Sequence, residues 1–84
     1  MKEKKKKTYT IIINGVEHTI ENKKITFEEI VSMAYEDYKD NPNIAYTVTY
    51  SKGPDKKPKG QMVKGDKVNI KDGMIFNATR TNKS

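Results

Sequence analysis

The chain has 84 residues with a formal net charge of +6 at pH 7, and 33% of them are charged. A chain of this length forms one domain that buries only about 60–65% of its extended-chain surface, so we expect a thin core and no deep pocket. Cysteine is absent, which excludes disulfide bonds and thiolate chemistry, and the longest apolar run, Ile11–Ile13, is too short for a signal peptide or a membrane span. We therefore expect a cytoplasmic protein that does not contact membranes.

The positive charge is concentrated at the start of the chain. Residues 1–7 contain five Lys and one Glu, with no apolar residue after Met1, which predicts a disordered basic tail. The remaining chain has 12 basic and 10 acidic residues, and Arg80 is its one arginine. Because bases and phosphates are most often read by arginine, we expect no specific nucleic-acid binding.

A β-hairpin is predicted as the first folded segment. Residues 8–13 are mainly β-branched or aromatic, Asn14-Gly15 is a strong hairpin signal, and residues 16–20 alternate between apolar and polar side chains. A two-residue turn pairs Ile13 with Val16. This register also turns the apolar side chains of both strands towards one face, which is expected to be the core.

A helix is predicted to follow the hairpin. Thr26 precedes Glu29 by three residues, the spacing of a capping box in which each side chain bonds the backbone N–H of the other residue. Apolar residues then recur at helical steps. They are Phe27, Ile30, Val31, Ala34 and Tyr38. Residues 41–43 end the predicted helix, because proline at position 42 disfavours a helical conformation in the residue before it.

The second half of the chain is predicted to be mostly β-strand. Its strand segments are residues 44–50, 61–63, 68–70 and 74–80. Residues 51–60 contain two prolines and four lysines and are predicted to be a solvated loop.

These elements predict an α+β fold of the β-grasp type, with the order β-β-α-β-β-β and a mixed sheet curled around one helix. The first and last strands are expected to lie side by side, parallel, at the centre of the sheet. The side chains expected in the core are Tyr9, Ile11, Ile13, Val16, Ile20, Phe27, Ile30, Val31, Ala34, Tyr46, Val48, Val68 and Phe76.

Few residues suggest catalysis or ligand binding. His18, the one histidine, is better explained as a half-buried, hydrogen-bonded side chain than as a catalytic group, and the start of the helix accounts for Glu28 and Glu29. Gly60 and Gly65 have the spacing of a phosphate-binding loop, but the Lys-Ser/Thr pair and the strand-to-helix context are missing. We therefore predict no catalytic residue, no metal, no cofactor and no enzymatic activity.

Several segments carry a family resemblance: residues 10–15, 25–31 and 46–50, and above all Lys71-Asp72-Gly73-Met74-Ile75-Phe76-Asn77 with the Thr-x-x-Ser ending at 81–84. Over about residues 8–84 the chain resembles the bacterial ubiquitin-like domains called multiubiquitin. The resemblance implies a ubiquitin-like β-grasp domain at residues 8–80, after the basic tail at 1–7 and before a flexible conjugation tail at 81–84.

The resemblance also implies that the protein is a modifier of other proteins. Such domains occur beside genes for ubiquitin-type activating and conjugating enzymes and a deconjugating metalloprotease, in operons implicated in defence, which implies a role in bacterial antiviral defence. Here the carboxylate of Ser84 would be adenylated by the activating enzyme and transferred to target proteins. The chain departs from eukaryotic ubiquitin because it has no Gly-Gly end.

Two functional regions follow from this hypothesis. The last apolar anchor is Phe76 or Ala78, so an extended tail is expected to reach about 20 Å into the activating enzyme, at about 3.3 Å per residue. The residues of this threading tail are Thr79, Arg80, Thr81, Asn82 and Lys83. A small apolar docking surface for partners is expected at Ile12, Ala45, Thr47, Ile75 and Asn77.

Two alternatives stay open. One is an adaptor that is not conjugated and binds a partner through an edge or face of its β-grasp sheet. The other is a basic protein that uses its lysine tail on nucleic acid or a membrane surface. Neighbouring genes for activating and conjugating enzymes would favour the modifier, and their absence would favour the adaptor. In isolation we expect a monomer.

Overall fold

This computed structural model describes residues 8–38 and 43–82 of the chain, which contain seven strands and one helix. In chain order they are β1 (Tyr9–Ile13), β2 (Val16–Ile20), β3 (Lys24–Thr26), α1 (Phe27–Ala34), β4 (Ile44–Ser51), β5 (Gly60–Met62), β6 (Lys67–Asn69) and β7 (Ile75–Asn82). Five strands form one sheet in the order β2-β1-β7-β4-β5, and β3 pairs with β6 in a second sheet. The fold is α+β and of the β-grasp type, as predicted, with β3 as a strand that the sequence analysis did not include.

The predicted hairpin and the predicted central pairing are both confirmed. β1 and β2 are antiparallel with Ile13 opposite Val16. The turn between them has φ angles of 52° at Asn14 and 82° at Gly15, values that asparagine and glycine adopt more readily than other residues. β1 and β7 run parallel to each other. The first and last strands of the fold therefore meet in the interior of the sheet.

The helix α1 begins where the sequence predicted and ends earlier. The N–H of Glu29 donates to Oγ1 of Thr26 (3.1 Å), and the N–H of Thr26 donates to Oε1 of Glu29 (2.9 Å), which completes the capping box. The helix ends just before Tyr35, whose backbone is extended. From there the Tyr35 hydroxyl donates to the carbonyl of Ala78 on β7 (3.1 Å). The predicted stop before Pro42 lies outside the described residues.

A single apolar core lies between α1 and the sheet. Its buried members are Tyr9, Ile11, Ile13, Ile25, Phe27, Ile30, Val31, Val48, Tyr50, Met62, Ile70, Met74, Phe76 and Ala78. Most of the residues predicted for the core are among them. Several of the others belong to β3, to β5 or to the segment after β6, which close the core beyond the ends of the central strands.

The structure corrects the prediction at five core positions. Val16 is 57% exposed, because it begins β2, the outer strand of the sheet, right after the hairpin turn. Ile20, Ala34, Tyr46 and Val68 are half-buried at the margin of the core. Alternation assigned these side chains to the correct side of their elements, but it does not show how far the opposing layer extends.

No described helical segment has the length and apolar character needed to cross a membrane.

Replacing Ile30 by Ala should lower the free energy of unfolding by about 2–4 kcal/mol, because the side chain is fully buried and its loss leaves a cavity. Urea unfolding followed by circular dichroism measures the effect. Val63→Ala is the control, because Val63 is 57% exposed, and it should change the stability by less than about 0.5 kcal/mol. Equal midpoints for the two variants would contradict the assigned core.

Candidate functional site: the end of β7 and the outer face of the sheet

β7 extends further towards the chain end than the sequence predicted. Its antiparallel pairing with β4 runs from Ile75, opposite Ser51, to Asn82, opposite Ile44. The predicted end of the last strand at Arg80 is therefore corrected to Asn82. Of the residues assigned to the flexible tail, Thr81 and Asn82 lie in this strand, and Lys83 and Ser84 lie outside the described residues.

The side chains near the end of β7 suit a strand. Thr79 and Thr81 are β-branched, which favours extended backbone, and they face Thr47 and Ala45 across the β4 ladder. Cross-strand pairs of this kind contribute a few tenths of a kcal/mol each, up to about 1 kcal/mol. The residues predicted to thread into an enzyme are thus held by β4 up to Asn82.

Asn14 supports β7 at the point where β1 ends. The N–H of Ala78 donates to Oδ1 of Asn14 (2.8 Å), and Nδ2 of Asn14 donates back to the carbonyl of Ala78 (3.1 Å). The backbone N–H of Asn14 also donates to the carbonyl of Phe76 (3.0 Å). The side-chain amide therefore takes the place of one more residue of β1 beside β7. The sequence identified Asn14 as a turn residue and contained no signal for this second role.

Arg80 is fixed on the helix side of β7 by polar and aromatic contacts. Its guanidinium donates to Oδ1 of Asp37 (2.9 Å) and lies 4.6 Å from the centroid of the Tyr35 ring. The hydrogen bond to Asp37 raises the pKa of Arg80, and the nearby hydroxyl of Tyr46 adds to the increase. That buried hydroxyl forms no hydrogen bond with a described group, so its effect on Arg80 is electrostatic. Arg80 therefore stays charged at every ordinary pH and links β7 to the segment after α1.

The five residues predicted to dock partners lie on the outer face of the sheet, but they do not form one spot. Ile12 and Ile75 are half-buried neighbours on β1 and β7. Ala45 and Thr47 lie towards the start of β4. Ala45 is six positions along β4 from the residue opposite Ile75, a distance of about 20 Å along a strand. Asn77 lies between these two groups, so the apolar part of the surface is the Ile12–Ile75 pair.

The outer face of the sheet carries little charge. Its outward side chains are Thr10, Ile12, Glu17, Thr19, Ala45, Thr47, Thr49, Ser51, Gln61, Ile75, Asn77, Thr79 and Thr81. Within the described strands Glu17 is the one charged residue of this face, although 33% of the chain is charged. Because few charges would have to be desolvated, another protein surface can cover this face at low cost.

The remaining residues considered for catalysis or ligand binding do not form a site. Oε2 of Glu28 accepts a hydrogen bond from the N–H of Gly65 (3.1 Å), and Glu29 completes the capping box. Residues 60–67 form β5, a turn and the first residue of β6, which is not the strand-to-helix arrangement of a phosphate-binding loop. His18 is half-buried on β2. Within the described ranges no three metal-binding side chains come together.

Comparison with protein families tests the resemblance. The sequence model of multiubiquitin matches residues 9–82, which contain all seven strands and α1. The chain belongs to the multiubiquitin family. Comparisons with curated proteins and with solved structures give no significant match. The matched part of this multiubiquitin domain ends at Asn82, where β7 also ends.

Replacing Asn14 by Gly should lower the free energy of unfolding of the multiubiquitin domain by about 1–3 kcal/mol. Glycine keeps the positive φ of the turn, but both part-buried side-chain bonds to Ala78 are lost. Thermal unfolding and hydrogen exchange of the Ala78 amide measure the change. Asn22→Gly makes the same chemical change at an exposed position. Similar stability of the two variants, with normal protection of the Ala78 amide, would show that Asn14 does not support β7.

Proposed function

We propose that this multiubiquitin domain is a protein modifier whose carboxylate at Ser84 is activated and transferred to target proteins. Membership of a ubiquitin-like family, shown by the match over residues 9–82, is the observation that carries the proposal. β7 is the last described strand, and Lys83 and Ser84 follow it directly in the sequence. The proposed setting is the cytoplasm, and antiviral defence in bacteria is the proposed process.

The chemistry of the proposed transfer needs ATP and a separate enzyme. A carboxylate is a poor electrophile, so one of its oxygens attacks the α-phosphorus of ATP, pyrophosphate leaves, and an acyl adenylate forms. A nucleophile then attacks the acyl carbon and AMP leaves. In our proposal an activating enzyme supplies the nucleotide site, a conjugating enzyme passes the acyl group to the target, and a metalloprotease removes it. The domain itself contributes the carboxylate and needs neither a cofactor nor a catalytic residue.

Because β7 is paired with β4 up to Asn82, its last residues must separate from β4 before the chain end can enter a deep cleft. Two residues beyond Asn82 span at most about 7 Å, whereas a tail anchored at Ala78 would span about 20 Å. Entry into a deep adenylation cleft would therefore require residues 79–82 to separate from β4. Each backbone hydrogen bond at a strand end contributes about 1 kcal/mol net, which an enzyme surface can replace by pairing with the same strand. Thr79, Arg80, Thr81, Asn82 and Lys83 remain the proposed threading segment.

A second candidate function is the adaptor that is not conjugated. Two observations favour it: β7 stays paired with β4 up to Asn82, and the outer face of the sheet is nearly free of charge. An adaptor would use that face, or an edge strand, to bind its partner and would need no free carboxylate. The two functions differ in whether Ser84 is required.

Deleting Ser84, or adding one residue after it, should abolish or strongly reduce conjugation when the protein is incubated with ATP and its activating and conjugating enzymes. The reactive carboxylate is then displaced, while the described fold is unaffected. Gel shift and intact mass measure conjugation, and circular dichroism checks the fold. Lys59→Arg, which keeps the chain length and charge and lies in the loop between β4 and β5, is the control. Normal conjugation by the untrimmed variants would reject the mechanism at Ser84 and leave the adaptor.

Replacing Ile75 by Asp should weaken binding to the activating enzyme by about tenfold or more, because a carboxylate would replace half of the Ile12–Ile75 pair. Calorimetric titration of each domain variant into the activating enzyme, without ATP, measures binding in the absence of catalysis. Gln61→Asp introduces the same charge on β5, at the far edge of the same face, and should bind nearly normally. If Ile75→Asp binds and transfers like the unmodified domain, this pair is not the docking contact.

A further inference from the structure

Five lysines from three separate parts of the chain line two neighbouring grooves. Lys23 and Lys24 lie at the start of β3, Lys56 and Lys57 lie in the loop after β4, and Lys67 begins β6. The grooves have volumes of about 260 Å³ and about 400 Å³. They lie near the end of β4 and the beginning of β1, far from the chain end of β7. The fold thus collects lysines that the sequence separates by up to 44 positions.

The five groove lysines lack ion-pair partners in the part of the chain that the structure describes. Among the described residues no carboxylate lines either groove, and the carboxylate of the adjacent Asp55 is paired with Lys71 instead (3.5 Å). Ammonium groups concentrated in one concave region attract an anionic partner and speed its approach.

An unpaired strand edge lies between these lysines. The N–H of Ile70 donates to the carbonyl of Lys23 in the β3–β6 pairing (2.7 Å). Because successive residues of an antiparallel strand direct their backbone groups to opposite sides, those of Lys67 and Asn69 face away from β3. Among the described strands none pairs with β6 on that side, and both residues line the smaller groove.

We propose that an extended acidic segment of a partner protein binds here, pairing its backbone with the open edge of β6 and placing its carboxylates among the five lysines. Strand addition of this kind obtains affinity from the main chain and specificity from side chains. The charge of the grooves selects an acidic segment. The site lies at the other end of the sheet from the chain end of β7, so it is separate from residues 79–82 of the proposed threading segment.

Two features of the grooves favour a peptide over a nucleic acid. Single-stranded nucleic acids bind by stacking their bases on exposed aromatic rings. The two tyrosines of the grooves, Tyr9 and Tyr50, are only 9% and 6% exposed and belong to the core. The grooves also contain no arginine, the side chain that most often makes bidentate contacts with bases and phosphates.

Titration with a short synthetic peptide of alternating Glu and Val, blocked at both ends, tests the proposal. The double variant Lys56→Glu/Lys57→Glu should bind it at least about tenfold more weakly than the unmodified protein at low salt. Lys52→Glu/Lys59→Glu removes the same charge from the same loop at positions outside both grooves, and it should bind within about threefold of the unmodified protein. An equal loss in both variants, or no binding to the unmodified protein, would overturn the proposal.

Hydrogen exchange of backbone amides tests the strand addition separately. Bound peptide should slow exchange at Lys67 and Asn69, whose N–H groups face the open edge, and leave exchange at the exposed Gln61 of β5 unchanged. A short oligothymidylate serves as the competing ligand. If it binds more tightly than the peptide, or if the peptide binds without protecting the two β6 amides, the assigned partner or the assigned binding mode is wrong.

Discussion

The parallel pairing of β1 with β7 joins the two halves of the main sheet. It joins Ile12 to Ile75 across most of the chain, so the intervening segment must close a long loop before the pairing forms. The junction is reinforced at both ends. Oδ1 of Asp72 accepts the N–H of Thr10 (2.6 Å) before β7 begins, and the side chain of Asn14 bonds Ala78 after β1 ends. β2 is attached to this centre through β1, and β4 and β5 are attached through β7.

This arrangement separates three surfaces with different properties. The outer face of the sheet is nearly uncharged, the lysine grooves lie at the end of the sheet where β1 begins, and the chain end of β7 lies at the opposite end. Although 33% of the chain is charged, Glu17 is the one charged side chain that the described strands place on the outer face. In our two proposals an enzyme contacts the outer face and β7, and the lysine grooves remain accessible to a second protein.

The sequence was sufficient for those parts of the fold that depend on local pattern. Alternation and Asn14-Gly15 predicted the hairpin and its register, and the Thr26–Glu29 spacing predicted the start of α1. It was insufficient where distant residues decide the conformation. Tyr35 leaves the helix and bonds Ala78, and β3 forms only because β6 returns beside it; neither contact has a local signature. The same reason hid the lysine grooves, since each of their three segments resembles an ordinary solvated stretch. Alternation correctly assigned Ile12 and Ile75 to the outer face. It could not predict that Ala45 lies far from Ile75, because that distance depends on the register between β4 and β7.

In the proposed function the carbonyl carbon of Ser84 becomes bonded to a target side chain, and peptide mapping of conjugates can detect this bond. Trypsin cleaves after lysine, so cleavage after Lys83 would leave a single seryl group on each modified acceptor side chain. After reaction with ATP and the activating and conjugating enzymes, target peptides should carry this seryl remnant, and they should lack it when ATP is omitted. Conjugates linked through a different residue, or no remnant in the presence of active enzymes, would contradict it.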